Sequence, residues 1–209
     1  MSDASFSALG EITAEIAHEL RNSIQVIVTH AFLGRRDVAA SGPHLAKIEE
    51  QARRAQSIID DVLLLARGDA PKETFPLADA VSAAARAFEG RAEVSLSFAS
   101  DLRASGHPGL LERLFSVLVE NAIHAHGGTP HVDVSASVAD GRLRIVVSDD
   151  GPGIPEEMVP RIFEVGVSGK KGGSGLGLAL AHRIARAHGG DVRYVGSASG
   201  ARFAIELPT

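Results

Sequence analysis

The chain has 209 residues, 44% apolar and 4% aromatic, with no tryptophan, one tyrosine and a formal net charge of −5. That length holds one large or two small domains. The absence of cysteine excludes disulfides, thiolate metal sites and a thiol nucleophile, and the acidic balance argues against general affinity for nucleic acid.

The first predicted element is a helix over residues 5–34. Leu9, Ile12, Ile16, Leu20, Ile24, Ile27 and Ala31 recur at spacings of three or four and draw one apolar stripe. His18 lies about 200° around the helix from Ile16 and is expected to face solvent, with Asn22 one turn further along the same face. Glu19 stands beside the histidine, and Arg21 is within i,i+3 reach of it. Glycines, a serine and a proline break the pattern over residues 34–43. A second helix follows over residues 43–67, where Leu45, Ile48, Ala52, Ala55, Ile59, Val62 and Ala66 alternate in threes and fours as a heptad seam. Two such helices joined by a short turn form an antiparallel hairpin that cannot bury both faces alone. Pairing two hairpins into a four-helix bundle buries them; packing against the rest of the same chain is the other solution.

Residues 69–76, with Asp69-Ala70-Pro71-Lys72, read as a linker between a first domain at residues 1–68 and a second at residues 77–209. The second domain opens with a short helix over 77–88 and an alternating strand over 94–99, then a strongly amphipathic helix over 108–125. Strands over 131–138 and 142–148 flank Asp140-Gly141, a hairpin signal. The run Leu143-Arg144-Ile145-Val146-Val147 reads as a buried strand and leads into Asp149-Asp150-Gly151-Pro152-Gly153-Ile154. Beyond Arg161-Ile162-Phe163-Glu164 and the pair Lys170-Lys171, a second cluster, Gly173-Ser174-Gly175-Leu176-Gly177-Leu178, opens into a helix that reaches His188. Strands over 192–195 and 201–207 close the chain. The pattern predicts an α+β protein: an N-terminal antiparallel helical hairpin, then an α/β sandwich with a mixed sheet and helices on one face. No apolar run approaches the ~20 residues that span a bilayer, and Met1-Ser2-Asp3-Ala4-Ser5 lacks the basic-then-apolar pattern of a signal peptide. The expectation is a soluble cytoplasmic chain with no membrane segment.

Strand, glycine turn, loose segment, second glycine turn and helix start form a frame for a phosphorylated ligand. Glycines let backbone N–H groups approach phosphate, and a helix N-terminus adds unpaired donors and partial positive charge. A dinucleotide fold would need a strand directly before the Gly-x-Gly string and an acidic residue about 20 positions later. The preceding residues 165–172 are polar and glycine-rich, so that reading fails.

The two glycine clusters resemble the ATP site shared by histidine kinases, gyrase, Hsp90 and MutL. With the rest of the chain they resemble the catalytic core of a sensor histidine kinase, along essentially the whole length. Ala17-His18-Glu19-Leu20-Arg21-Asn22 is similar to that family's phospho-acceptor box, and its wording looks most like the nitrogen-regulation type. Glu120-Asn121-Ala122-Ile123-His124 is similar to the asparagine box, Asp149-x-Gly151-x-Gly153 to the first glycine box, Ile162-Phe163-Glu164 to the phenylalanine box, and Gly173-Ser174-Gly175-Leu176-Gly177 to the second glycine box. The resemblance implies that Asp149 accepts a hydrogen bond from the adenine amino group, while Gly151, Gly153 and Ile154 pass close to the base. It implies that Asn121 ligates Mg²⁺ and that His124 lies near the phosphates. Gly173, Ser174, Gly175, Leu176 and Gly177 then hold the triphosphate, beneath a lid anchored by Phe163 and carrying Lys170 and Lys171. The two lysines read equally as a solvated pair in a loop.

Carried further, the resemblance implies that His18 attacks the γ-phosphate of ATP and Glu19 holds its tautomer. The phosphoryl group then passes to an aspartate on a response-regulator receiver domain. Asn22 matches the position that orients water for the reverse, phosphatase reaction, and the active form is a homodimer. Three departures stand out. Ser23 replaces a usual proline, so a helix kink after the acceptor is expected to be weaker. Val117 replaces a second asparagine, and a gyrase-type ATPase would need a water-activating glutamate near there. Val165-Gly166-Val167 replaces the commoner Pro-x-aromatic continuation of the lid. The competing reading is a dimeric scaffold or phosphatase module that binds nucleotide but phosphorylates weakly.

Overall fold

The computed structural model describes residues 3–37, 41–66, 73–164, 166–169, 175–196 and 199–209; within the two N-terminal helices it describes the side chains of 17, 20–37, 41–53, 55, 56, 58 and 59. Contacts divide the chain into two units, Met1–Arg67 and Gly68–Thr209.

The first unit is a pair of helices, α1 (Asp3–Arg36) and α2 (Ser41–Ala66), packed on one another. The 34 residues of α1 extend about 50 Å, and the helix runs without interruption through Ser23, where a proline would have removed one backbone donor. Its inward face is Leu20, Ser23, Ile27, His30 and Gly34, in steps of three and four, and Ser23 is only 2% exposed. The facing residues of α2 are His44, Ile48, Gln51, Ala55 and Ile58, with Gln51 and Ile58 each 7% exposed.

That arrangement corrects the expected stripes. Ile24 is 55% exposed, and of the seam expected on α2 Leu45 and Ile59 are 56% and 41% exposed while Ile48 and Ala55 turn inward. Each helix carries apolar residues on two adjacent faces, and small or polar groups occupy much of the face between the helices. Ile24, Val28, Phe32, Leu45 and Ile59 are left on the outside.

The second unit begins with β1 (Glu73–Pro76), which pairs antiparallel with β3 (Arg103–Gly106), Phe75 opposite Ala104. Half of the segment expected as linker therefore belongs to a strand, and β3 is an element that the sequence reading lacked. Both are four residues long, too short to show a period. Between them lie α3 (Leu77–Arg86) and β2 (Glu93–Ser97). There follow α4 (Pro108–His126), β4 (His131–Ala139), β5 (Arg142–Asp149), a 3₁₀ turn at Val159–Arg161, α5 (Gly177–Ala187), β6 (Asp191–Tyr194) and β7 (Arg202–Pro208).

Five strands form one mixed sheet in the order β2-β4-β5-β7-β6, with β2 parallel to β4 and the other pairs antiparallel. The β4–β5 hairpin turns through Asp140 at φ 54° and Gly141 at φ 68°, two left-handed residues as a two-residue type I′ turn requires. Leu143, Ile145 and Val147 on β5 and Phe203, Ile205 and Leu207 on β7 are at most 3% exposed, whereas Arg144 and Arg202 are exposed. One face of the sheet is thus covered. The cover is α3, α4 and α5, through Val81, Leu111, Phe115, Leu118 and Ile184 among others, with α4 touching both of its neighbours.

A buried histidine ties the far ends of α4 and α5 together. The Nε2 of His188 accepts the backbone N–H of His107 at 2.9 Å, which leaves the ring proton on Nδ1 to be donated to the Ile184 carbonyl at 2.7 Å. Gly106 sits against the ring so closely that a Cβ there would stand 2.0 Å from Cδ2 of His188. His188→Ala strands the His107 N–H in the interior and opens a cavity. It is expected to cost about 2–4 kcal/mol of stability, read from urea unfolding of the second unit.

Candidate active site

The site is built where β5 ends. The backbone N–H of Asp149 donates to the Ala201 carbonyl at 2.9 Å, and its Oδ1 accepts the N–H groups of Gly151 at 2.9 Å and Ala201 at 3.0 Å. Two amides fix the carboxylate and leave Oδ2 for an incoming donor. The turn that follows has no room for side chains. A Cβ on Gly200, at φ 86°, would fall 1.7 Å from the Asp149 carbonyl oxygen, and one on Gly151 would lie 2.9 Å from Asp149 Oδ1. Gly153, at φ 77°, packs under Gly200 and Tyr194, whose hydroxyl accepts the Ile154 N–H at 3.4 Å. Gly200, Ala201 and Tyr194 are site residues that the sequence pattern does not mark as such. Their signal is slight: a glycine before the last strand and the chain's one tyrosine.

Helix α4 supplies the floor. Val117, Asn121 and Ala125 follow at i, i+4 and i+8 on one face. Val117 Cγ1 lies 3.4 Å from where a Cβ on Gly177 would stand, and the Ala125 methyl lies 3.9 Å from the corresponding point on Gly151. Asn121, half-buried, therefore sits between the first glycine cluster and the start of α5, along a run of about 12 Å. Val117 is 3% exposed and purely a packing residue beneath Gly177. His124, one turn on, is exposed.

At the other end of this face, Gly177 is the first residue of α5 and Leu176 its N-cap position, with no side chain capping the helix. Its first amides remain available to an anion. A Cβ on Gly175, at φ 66°, would meet the Gly166 carbonyl carbon at 2.4 Å and the Val167 nitrogen at 2.5 Å, so the two stems of the intervening loop touch backbone to backbone. Lys170, Lys171, Gly173 and Ser174 lie outside the described residues.

Phe163 follows the 3₁₀ turn, after buried Ile162, and its ring lies against His182 of α5, centroids 5.2 Å apart and planes at 33°. His182 Nε2 is 3.0 Å from Asp191 Oδ1, and Arg193 Nε donates to Asp191 Oδ2 at 3.1 Å. Partial burial pushes the Asp191 carboxyl up, but the hydrogen bonds from Arg193 and His182, with their charges, outweigh it and hold it below its ordinary value. This ion-paired group lies behind the phenylalanine and was also missed from the sequence.

His18 and Glu19 lie on α1, in the other unit, and their side chains are outside the described residues. Asn22, one turn beyond, is exposed and borders a shallow groove with Gln25, Val26, Thr29 and His30.

Comparison with known proteins gives the same division. Residues 8–71 match the His Kinase A (phospho-acceptor) domain, and residues 106–209 match the family described as histidine kinase-, DNA gyrase B-, and HSP90-like ATPase. The chain belongs to the sensor histidine kinases. It is 32% identical over 222 residues to the sensor histidine kinase CusS of Escherichia coli (strain K12), covering 97% of this chain and 46% of CusS. Full-length ShkA, solved in complex with AMPPNP, superposes with a TM-score of 0.64 at 29% identity, over 79% of this chain and 38% of ShkA. The fold of histidine kinase ThkA in its complex with response regulator TrrA is matched at a TM-score of 0.76 and 24% identity, over 98% of this chain and 63% of that one. The chain spans about half or less of the length of the curated relatives it matches. Within the histidine kinase family, Asn121, Asp149 and the two glycine clusters fall in the ATPase match and His18 in the phospho-acceptor match.

Proposed function

We propose that this chain is the catalytic core of a sensor histidine kinase that moves the γ-phosphoryl group of ATP to His18 and then to an aspartate of a response-regulator receiver domain. The observation that carries the reading is the α4 face. Asn121 lies between a carboxylate fixed at Asp149 and the open helix start at Gly177, with a span suited to an adenine at one end and phosphates at the other. ShkA, of the same family, is solved with AMPPNP. The donor set suits Mg²⁺, which takes few protein oxygens and fills its octahedron with water and phosphate oxygens. Asn121 would contribute its amide oxygen, and the ion would neutralise charge on the phosphates.

In the transfer, a ring nitrogen of His18 forms the N–P bond as the bond between the γ-phosphorus and the β–γ bridging oxygen breaks and ADP leaves. Glu19 takes the hydrogen bond from the other ring nitrogen and holds the tautomer. Asn22 orients water for removal of the phosphoryl group from the regulator. Incubation of the chain with γ-labelled ATP and Mg²⁺ tests the reading: label enters the chain and moves to a receiver domain. Retention of nucleotide without labelling would leave the scaffold or phosphatase module.

The acting form is a homodimer joined through residues 1–68, as the phospho-acceptor match and the exposed Ile24, Val28, Phe32, Leu45 and Ile59 support. Ile59→Asp places a charge on that apolar face. Light scattering is expected to show a dimer for the unaltered chain at micromolar concentration and a monomer for the variant; a monomeric unaltered chain would count against the assignment. We further propose that the core works in the cytoplasm. Among the described residues no helix is long and apolar enough to cross a membrane.

A further inference from the structure

We propose that His30 and His44 form a cross-helix chelate for a divalent transition-metal ion of the Cu²⁺ or Ni²⁺ class. The two residues face each other from α1 and α2 on the inner seam of the hairpin, and their Nδ1 atoms are 2.9 Å apart. The rings are tilted at 52° with centroids 5.1 Å apart, so the two nitrogens converge while the rings avoid stacking. Without metal, one Nδ1 donates a proton to the other. For a metal to enter, that proton moves to Nε2 of the same ring, and two neutral imidazoles then present two Nδ1 lone pairs to one point.

Metal–nitrogen bonds of about 2.0–2.1 Å place two nitrogens about 2.9 Å apart at a right angle and about 3.3 Å apart at a tetrahedral angle. The observed 2.9 Å is the length of the hydrogen bond between the two rings and lies within a small ring rotation of either geometry, so the metal class follows from the ligands: imidazole sites hold Cu²⁺ and Ni²⁺ strongly in the order of divalent affinities.

The fold keeps this pair together. Gly34 lies opposite His44, and a Cβ there would stand 3.4 Å from His44 Cβ and 3.9 Å from its ring, so glycine leaves space for the imidazole between the helices. Ile27 and Ile48 flank the pair within the seam, and the nearest cation along α2, Lys47, is engaged by Glu50 at 2.8 Å. Both histidines are half-buried, so the outer side of a bound ion reaches solvent. Among the described residues no third His, Cys, Asp or Glu completes a cluster, so water fills the other positions and the ion exchanges. Bound there, the ion clips α1 to α2 beside their connection, independently of the nucleotide chemistry.

The test is calorimetric titration of the full chain with Ni²⁺. One ion per chain is expected at the tightest site. His30→Ala and His44→Ala should each weaken it about a hundredfold, because a second ligand on the same chain acts at high effective concentration, and the double variant should be no weaker than either single one. Cu²⁺ electron paramagnetic resonance should show two imidazole nitrogens in the unaltered chain and fewer in each variant. Circular dichroism checks helicity; where an alanine variant loses helix, His30→Gln and His44→Gln replace it. Unchanged affinity in the single variants, or small losses that add in the double variant, would place binding on others of the nine histidines and overturn the proposal.

Discussion

His18→Gln is expected to eliminate transfer of label from γ-labelled ATP to the chain. Glutamine keeps the length and polarity of the side chain but offers only an amide nitrogen, whose lone pair is delocalised into the carbonyl and does not attack phosphorus. The neighbouring polar side chains along α1 are carboxylates (Glu15, Glu19), a permanently protonated guanidinium (Arg21) and amides (Asn22, Gln25), so none offers a neutral nitrogen nucleophile in its place. Asn22→Ala should behave differently. Autophosphorylation should stay within a few-fold of the unaltered chain if, as proposed, Asn22 orients water and does not contact the transferred group. Dephosphorylation of the partner regulator should slow about tenfold to a hundredfold, the effect of losing a hydrogen bond worth about 1–3 kcal/mol. The label on the unaltered chain should be labile in acid and stable in base, as a phosphoramidate is. Acid-stable label persisting in His18→Gln would move the acceptor elsewhere. Equal loss of both activities in Asn22→Ala would make that residue a support of the helix.

Asp149→Asn should lower ATP affinity by tenfold or more, at least about 1.4 kcal/mol. The geometry removes the escape that an isosteric change usually has. Asp149 Oδ1 already accepts two backbone N–H groups, from Gly151 and Ala201. If the asparagine oxygen keeps those bonds, its NH₂ points into the site and meets the adenine amino group, donor against donor. If the amide flips, the NH₂ confronts the two backbone donors and the turn is disrupted. Either orientation leaves buried groups unpaired, which is the basis of strong discrimination in a hydrogen-bonding site. Calorimetry with ATP and with GTP measures it: the unaltered chain should prefer ATP. A variant that binds ATP as tightly as the unaltered chain would show that the carboxylate is not the adenine contact.

Most of the second unit was legible in the sequence, because its elements have strong periods. The alternating run of β5, the Asp140-Gly141 turn and the amphipathic α4 each announce themselves locally. The missed pieces are those whose meaning is non-local. Strands β1 and β3 are four residues each and become strands only by pairing at a distance, Phe75 with Ala104 across 29 positions, helped by the Arg103 guanidinium donating to the Thr74 carbonyl. Ala201 lies 52 residues from the carboxylate it fixes, and no spacing rule connects it, or Gly200 beside it, to that carboxylate. In the hairpin, each of the two stripes, one through Ile24 on α1 and one through Leu45 on α2, mixes inward and outward residues for another reason. Apolar periodicity finds where oil is, and here the face between the helices mixes Ser23, His30, His44 and Gln51 with Ile27, Ile48 and Ile58, while Ile24, Val28, Phe32, Leu45 and Ile59 look outward. The nitrogen-regulation subtype suggested by the wording around His18 rests on that wording alone.

That inverted distribution has a thermodynamic corollary. Among the described residues, a lone hairpin whose inner seam is partly polar leaves several large apolar groups wet when its two helices meet. In the proposed homodimer, further desolvation comes when a second copy covers Ile24, Val28, Phe32, Leu45 and Ile59. Forming secondary structure in this unit and recruiting its mate would then be coupled, second order in chain. The melting midpoint of the helical signal rises with protein concentration, while the sheet unit, with its own sealed interior, melts at a midpoint set by temperature alone.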